Sequence, residues 1–160
     1  VVSGTQGSSF QGWSLAIGDF NADGIGDFAT GLFGHDAVGA PNAGAVRLFR
    51  GRAATQGGPV ALPLIEFNQG DTRFGASVAL GDLNSDGYSD LLVGAPFYSN
   101  GQTEEGAAMI FFSNAGSFNA TPSVILQSNV AGARAGTSVA VAGDINGDGN
   151  VDILVGAPNV

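Results

Sequence analysis

An all-β repeat architecture is predicted by three observations. Apolar residues fall in short runs that alternate bulky and small, glycine fills 27 of 160 positions, and one Asp-rich segment recurs three times. The segment 12–27, GWSLAIGDFNADGIGD, realigns with 75–90, GASVALGDLNSDGYSD, and with 136–152, GTSVAVAGDINGDGNVD. The leading aspartates Asp19, Asp82 and Asp144 stand 63 and then 62 residues apart. No segment holds a 3.6-residue period, so helix content near zero is expected.

The elements follow in order. Leu15 and Ile17 alternate with Ser14, Ala16 and Gly18, as Val78 and Leu80 do with Ser77, Ala79 and Gly81. Each first strand thus has one bulky face and one small face, and the small face permits a neighbouring sheet to approach closely. A second run follows each loop: Phe28 to Gly31, Leu91 to Pro96 and Ile153 to Pro158. The run at Leu91 to Val93 is apolar on both sides, which predicts burial on both. Third runs stand at Ala45 to Phe49 and Ala107 to Phe112, and fourth runs at Leu62 to Phe67 and Val124 to Gln127. Four short strands per repeat result. The third copy carries one extra residue before its loop, which predicts a β-bulge near Ala142 and Gly143.

Charge is concentrated in the loops. The formal net charge is −9, and nine of the 14 acids lie in the three repeated segments. This count excludes a basic groove for nucleic acid. No apolar run approaches the roughly 18 residues of a membrane span. Cysteine is absent, so another stabiliser must replace disulfides if the chain works outside the cell. The first residue is Val and no leader is visible, so the chain reads as a processed product or an excerpt.

Each loop reads Asp-x-Asn-x-Asp-Gly-x-x-Asp. The candidate ligands are Asp19, Asn21, Asp23, Ile25 and Asp27; Asp82, Asn84, Asp86, Tyr88 and Asp90; and Asp144, Asn146, Asp148, Asn150 and Asp152. Side-chain oxygens at positions 1, 3, 5 and 9 and a backbone carbonyl at position 7 form an oxygen cage suited to Ca²⁺, with glycine at position 6 for the sharp turn. Three calcium sites are expected. Magnesium keeps its waters, and zinc would want His or Cys. An EF-hand is excluded because its position-12 glutamate is replaced by Thr30, Val93 or Val155.

Phe74-Gly75, the Gly81-Asp82 loop and Gly94-Ala95-Pro96 resemble the FG-GAP repeat of integrin α-subunit β-propellers and many bacterial surface proteins. The resemblance covers essentially the whole chain. It departs at Gln11-Gly12 and Ala135-Gly136, where the FG pair changes, and at Gly31-Leu32-Phe33, where GAP does. It implies four-stranded antiparallel propeller blades with calcium between the first two strands of each. It also implies a ligand face on the opposite connections, 34–44 and 97–106, which hold His35, Asp36, Tyr98, Glu104 and Glu105.

The chain therefore reads as one all-β repeat domain, 1–160, with approximate repeats 11–73, 74–134 and 135–160. Residues 1–10 read as the last strand of a preceding or partner blade, because Val1-Val2 aligns with Leu64-Ile65. Eleven strands make an incomplete propeller, so other protein chains are expected as partners, through self-association or a longer parent chain. The expected function is a calcium-stabilised extracellular or cell-surface adhesion or assembly module without catalysis. A lectin-like carbohydrate-binding module is the alternative. His35 is the sole histidine and reads as a solvated loop residue, and Trp13 reads as packing. The sequon Asn119-Ala120-Thr121 is weak support for a surface location.

Overall fold

A computed structural model describes residues 9–160, and the expected strand within residues 1–10 lies almost wholly outside them. The first sheet contains β1 (Leu15–Gly18), β2 (Asp27–Leu32), β3 (Ala45–Arg50) and β4 (Val60–Glu66), in that spatial order. The second contains β5 (Ser77–Gly81), β6 (Asp90–Ala95), β7 (Ala107–Phe111) and β10 (Val124–Gln127), again in order. A third sheet pairs β11 (Ser138–Gly143) with β12 (Asp152–Gly156). Neighbouring strands within each sheet are antiparallel throughout. The two four-stranded sheets are blades of the kind the repeat pattern predicts, and the third sheet supplies the first two strands of another. A single 3₁₀ turn, Ala54–Gln56, is the only helical element among the described residues.

The alternation in the first strands explains how blades stack. Val78 and Leu80 of β5 pack toward the first blade, into a core that includes Ala29, Val46, Leu48, Phe74, Leu91, Val93 and Met109. The small side chains accept them: a Cβ on Gly18 would meet the Leu80 Cβ at 2.9 Å. The other face of β6 turns Leu92 into a second core with Ala79 of its own blade and Val139, Val141 and Ile153 of the third. Leu91, Leu92 and Val93 are all fully buried, as the two-sided apolar run predicts. On the first blade the same bulky positions, Leu15 and Ile17, are exposed.

The recurring glycines have a steric reason. Gly75 holds φ +87° and donates its N–H to the Gly94 carbonyl at 3.0 Å. A Cβ on Gly94 would collide with the Gly136 carbonyl oxygen, and one on Gly31 with that of Gly75. The starts of the second and third blades are wedged against the second strand of the preceding one, and only glycine fits. Ser14 and Ser77 close these wedges by donating to the Gly75 and Gly136 carbonyls at 2.8 and 2.9 Å.

The expected bulge is present, with the β11–β12 register shifting between Val141 and Gly143. One element was not foreseen. After β7, the hairpin of β8 (Ser113–Asn114) and β9 (Ser117–Phe118) turns through Ala115 and Gly116, both at positive φ. It leans across onto the first blade: Ser113 Oγ donates to the Phe20 carbonyl at 2.8 Å, and Phe118 meets Phe20 edge-on at 5.4 Å.

Candidate metal centre

Each Asp-rich loop joins the first two strands of a blade, and all three adopt one geometry. In the first, the Asp19 carboxylate accepts from the Asp23 and Gly24 N–H groups at 3.2 and 2.8 Å. Asn21 Oδ1 also accepts from Asp23 N–H, and Asp23 Oδ1 accepts from Ile25 N–H at 2.8 Å. Asp82, Asn84, Asp86 and Tyr88 repeat the set. So do Asp144, Asn146, Asp148 and Asn150. The loop is a nest of Asx turns that gathers positions 1, 3 and 5. Two positions are left-handed: the glycine at position 6 (Gly24, Gly87, Gly149) and position 4, which holds Ala22, Ser85 or Gly147. Sequence reasoning found the first and missed the second.

The position-9 carboxylates are anchored differently. Asp27 is fully buried and accepts from Phe20 N–H at 3.0 Å and Gly51 N–H at 2.7 Å. Asp90 is its counterpart, fully buried and bonded to Leu83 and Ser113 N–H. Burial pushes the Asp27 and Asp90 carboxyls above the usual range, against the backbone N–H groups that pull them down. Nearby Asp19 and Asp23, and Asp82 and Asp86, add like-charge repulsion. In the exposed third loop the Gly149 N–H holds Asp144 below the usual range, and the Asn150 N–H does the same for Asp148. Asp152 accepts from Ile145 N–H at 2.9 Å.

The donor set fits a hard cation. Each loop offers three carboxylates and at least one amide oxygen within nine residues, with neither sulfur nor imidazole. As the side chains lie, their oxygens face backbone N–H groups. Among the described residues, no three acidic, thiol or imidazole side chains close on a common point. A cation would use the remaining lone pairs of those oxygens. The first two loops are also tied together, because Ser89 N–H donates to the Asp19 carbonyl at 2.9 Å and Asp19 N–H to Ser89 Oγ at 3.1 Å.

At the opposite end, most of the expected ligand-face residues are inside. His35 is buried and its Nε2 lies 2.6 Å from Glu66 Oε1, so it is a packed partner of β4 and not a solvated histidine. Tyr98 and Glu105 are buried as well, with Asn100 N–H on Glu105 Oε1 at 2.6 Å. Asp36 is exposed and accepts from Asn42 N–H, and Glu104 pairs with Arg134 at 2.8 Å. Trp13 is 62 % exposed and rests on Phe33 with ring centroids 4.4 Å apart, so it is not core packing.

A family profile described as FG-GAP repeat matches residues 74–111 and 135–160. The chain carries FG-GAP repeats. Integrin alpha-3 of Mus musculus is 36% identical over 157 residues, covering 96% of this chain and 14% of that protein. Integrin alpha-7 of Rattus norvegicus is 42% identical over 124 residues, covering 76% of the chain and 11% of that protein's Rattus sequence. Phosphatidylinositol-glycan-specific phospholipase D of Bos taurus is 33% identical over 161 residues, 92% of the chain and 18% of the enzyme. The chain thus spans less than a fifth of the length of these relatives. The FG-GAP repeats identify the four-stranded sheets as β-propeller blades.

Proposed function

We propose that the chain is a calcium-stabilised, extracellular adhesion or assembly module, with three Ca²⁺ held by the loops at Asp19–Asp27, Asp82–Asp90 and Asp144–Asp152. The observation that carries the reading is threefold repetition of one loop geometry with three carboxylates each. Buried Asp27 and Asp90 add to it, since a divalent cation would offset the like charge that crowds them. Similarity to integrin α chains supports the adhesion role and the location outside the cell.

Catalysis is no part of the proposal, although one relative is a phospholipase. The histidine is sequestered by Glu66, and the clustered carboxylates are assigned to metal. Partners are other protein surfaces, supplied by further blades of a longer chain or by further copies. Calorimetric titration of the chelator-treated chain is expected to count three calcium ions, with magnesium binding far more weakly. Absence of calcium binding at millimolar concentration would overturn the proposal.

A further inference from the structure

The first strands of all three blades begin around one cleft of about 490 Å³, lined by Trp13, Phe33, Arg73, Ala76, Phe97 and Thr137. Trp13, Ala76 and Thr137 hold the same repeat position, and only the first presents a ring. Its indole is exposed and contacts Phe33 at a tilt, and Phe10 stacks on Phe33 at 5.1 Å. The Arg73 guanidinium lies over the same Phe33 ring, 5.3 Å from its centroid.

Comparison of the two repeats shows what Arg73 lacks. Arg134, its counterpart, lies 4.6 Å from the Phe97 centroid and is neutralised by Glu104 through two hydrogen bonds, at 3.1 and 2.8 Å. The backbone N–H groups of Arg73 and Arg134 donate to the carbonyls of Asn42 and Glu104, which fixes those two as equivalent. The carboxylate is therefore replaced by an amide in the first repeat. The nearby acid, Asp71, is taken by Asn42 Nδ2 at 2.9 Å. No carboxylate pairs with Arg73 among the described residues, and residues 1–8 contain none. A guanidinium with five donors thus faces a cleft walled by aromatic rings, in a chain of net charge −9.

We infer that this cleft is a binding site for a carboxylated pyranose, with Arg73 taking the carboxylate and Trp13 stacking on the sugar ring. The cleft volume falls in the ordinary range for small-ligand sites, about 300 to 1,000 Å³. An aspartate or glutamate side chain would satisfy the guanidinium but leave the indole uncovered. A neutral sugar would cover the indole but leave the guanidinium unpaired. A carboxylated pyranose uses both, through a fork-to-carboxylate pair and an apolar ring face. The site is independent of the calcium proposal.

Trp13 is the single tryptophan of the 160-residue chain, so its emission reports the cleft directly. The calcium-loaded chain would be titrated at fixed free calcium with glucuronic acid, with N-acetylneuraminic acid, and with glucose and glutamate as controls. A saturable emission change is expected with at least one acid sugar and with neither control, and the responding acid identifies the source. Arg73→Gln should weaken that binding by about tenfold or more, the loss of a charge-assisted bidentate pair. Arg52→Gln, a change at an exposed arginine outside the cleft, should leave it unchanged. If Arg73→Gln does not fold, Arg73→Lys keeps the charge, loses the fork, and should still weaken binding. Equal response to glucose or glutamate, no response to either acid, or unchanged binding in the Arg73 variants would overturn the inference.

Discussion

Single residues decide whether each loop can form. The aspartates were legible because three copies place them in register, and in every copy the leading aspartate accepts from the position-6 glycine N–H. The left-handed turn at position 4 was not legible, because Ala22 and Ser85 carry no sign of it. A non-glycine residue there costs about 1–2 kcal/mol, and glycine costs back about 0.5–1 kcal/mol through unfolded-chain entropy. Ala22→Gly and Ser85→Gly are accordingly expected to stabilise the chain slightly, by about 0.5–1 kcal/mol, in denaturant melts; a clear loss would contradict the assigned backbone. Pairings such as His35 with Glu66 join residues 31 positions apart, so no local pattern announces them. Asp82→Ala should remove one calcium of the proposed three by calorimetric count, since each loop holds its own ligands. Loss of all three together would instead mean one shared site.

Elements were legible where bulk alternates with small, and less so where pairing alone makes the strand. The fourth strand Val124–Gln127 and the Ala142 bulge stand where the sequence places them, whereas β4 begins two residues before Leu62. The β8–β9 hairpin escaped notice because its strands are two residues each and alanine occupies the first left-handed turn position, where Asn, Asp or Gly is usual. It matters to the first loop, since Ser113 and Phe118 both brace Phe20. Ser113→Ala should lower calcium affinity at the first loop more than at the third; equal effects on all sites would mean the hairpin acts only on global stability. Phe74 is fully buried between the first two blades, and Phe74→Ala should cost about 3–5 kcal/mol of stability. A denaturant midpoint unchanged by that substitution would mean the two blades do not share a core.

The described residues form two four-stranded blades and a two-stranded third, stacked with unlike ends. The first blade presents bulky Leu15 and Ile17, and the third presents small Ala140 with Leu154 beside it. Inside the chain, bulky residues on a first strand meet glycines on the blade before, Leu80 at Gly18 and Val141 at Gly81. A further blade is the natural cover for either end. Light scattering on the 160-residue chain with calcium is therefore expected to show association, and Ile17→Lys should reduce it; a stable monodisperse monomer would contradict this. Sequence placed the repeats, but it could not show which face each end leaves bare, because that depends on contacts some 60 residues apart.

Thermal melting with and without chelator tests the central claim most directly. At free calcium 100-fold above the dissociation constant, each occupied site adds about 2.7 kcal/mol. Three such sites would supply roughly half or more of the 5–15 kcal/mol by which a domain is ordinarily stable. Chelation should therefore lower the melting temperature by well over about 10 °C, and calcium should restore it where equal magnesium does not. Coincident melting curves in calcium and in chelator would show that the nine loop aspartates do not stabilise this fold through metal.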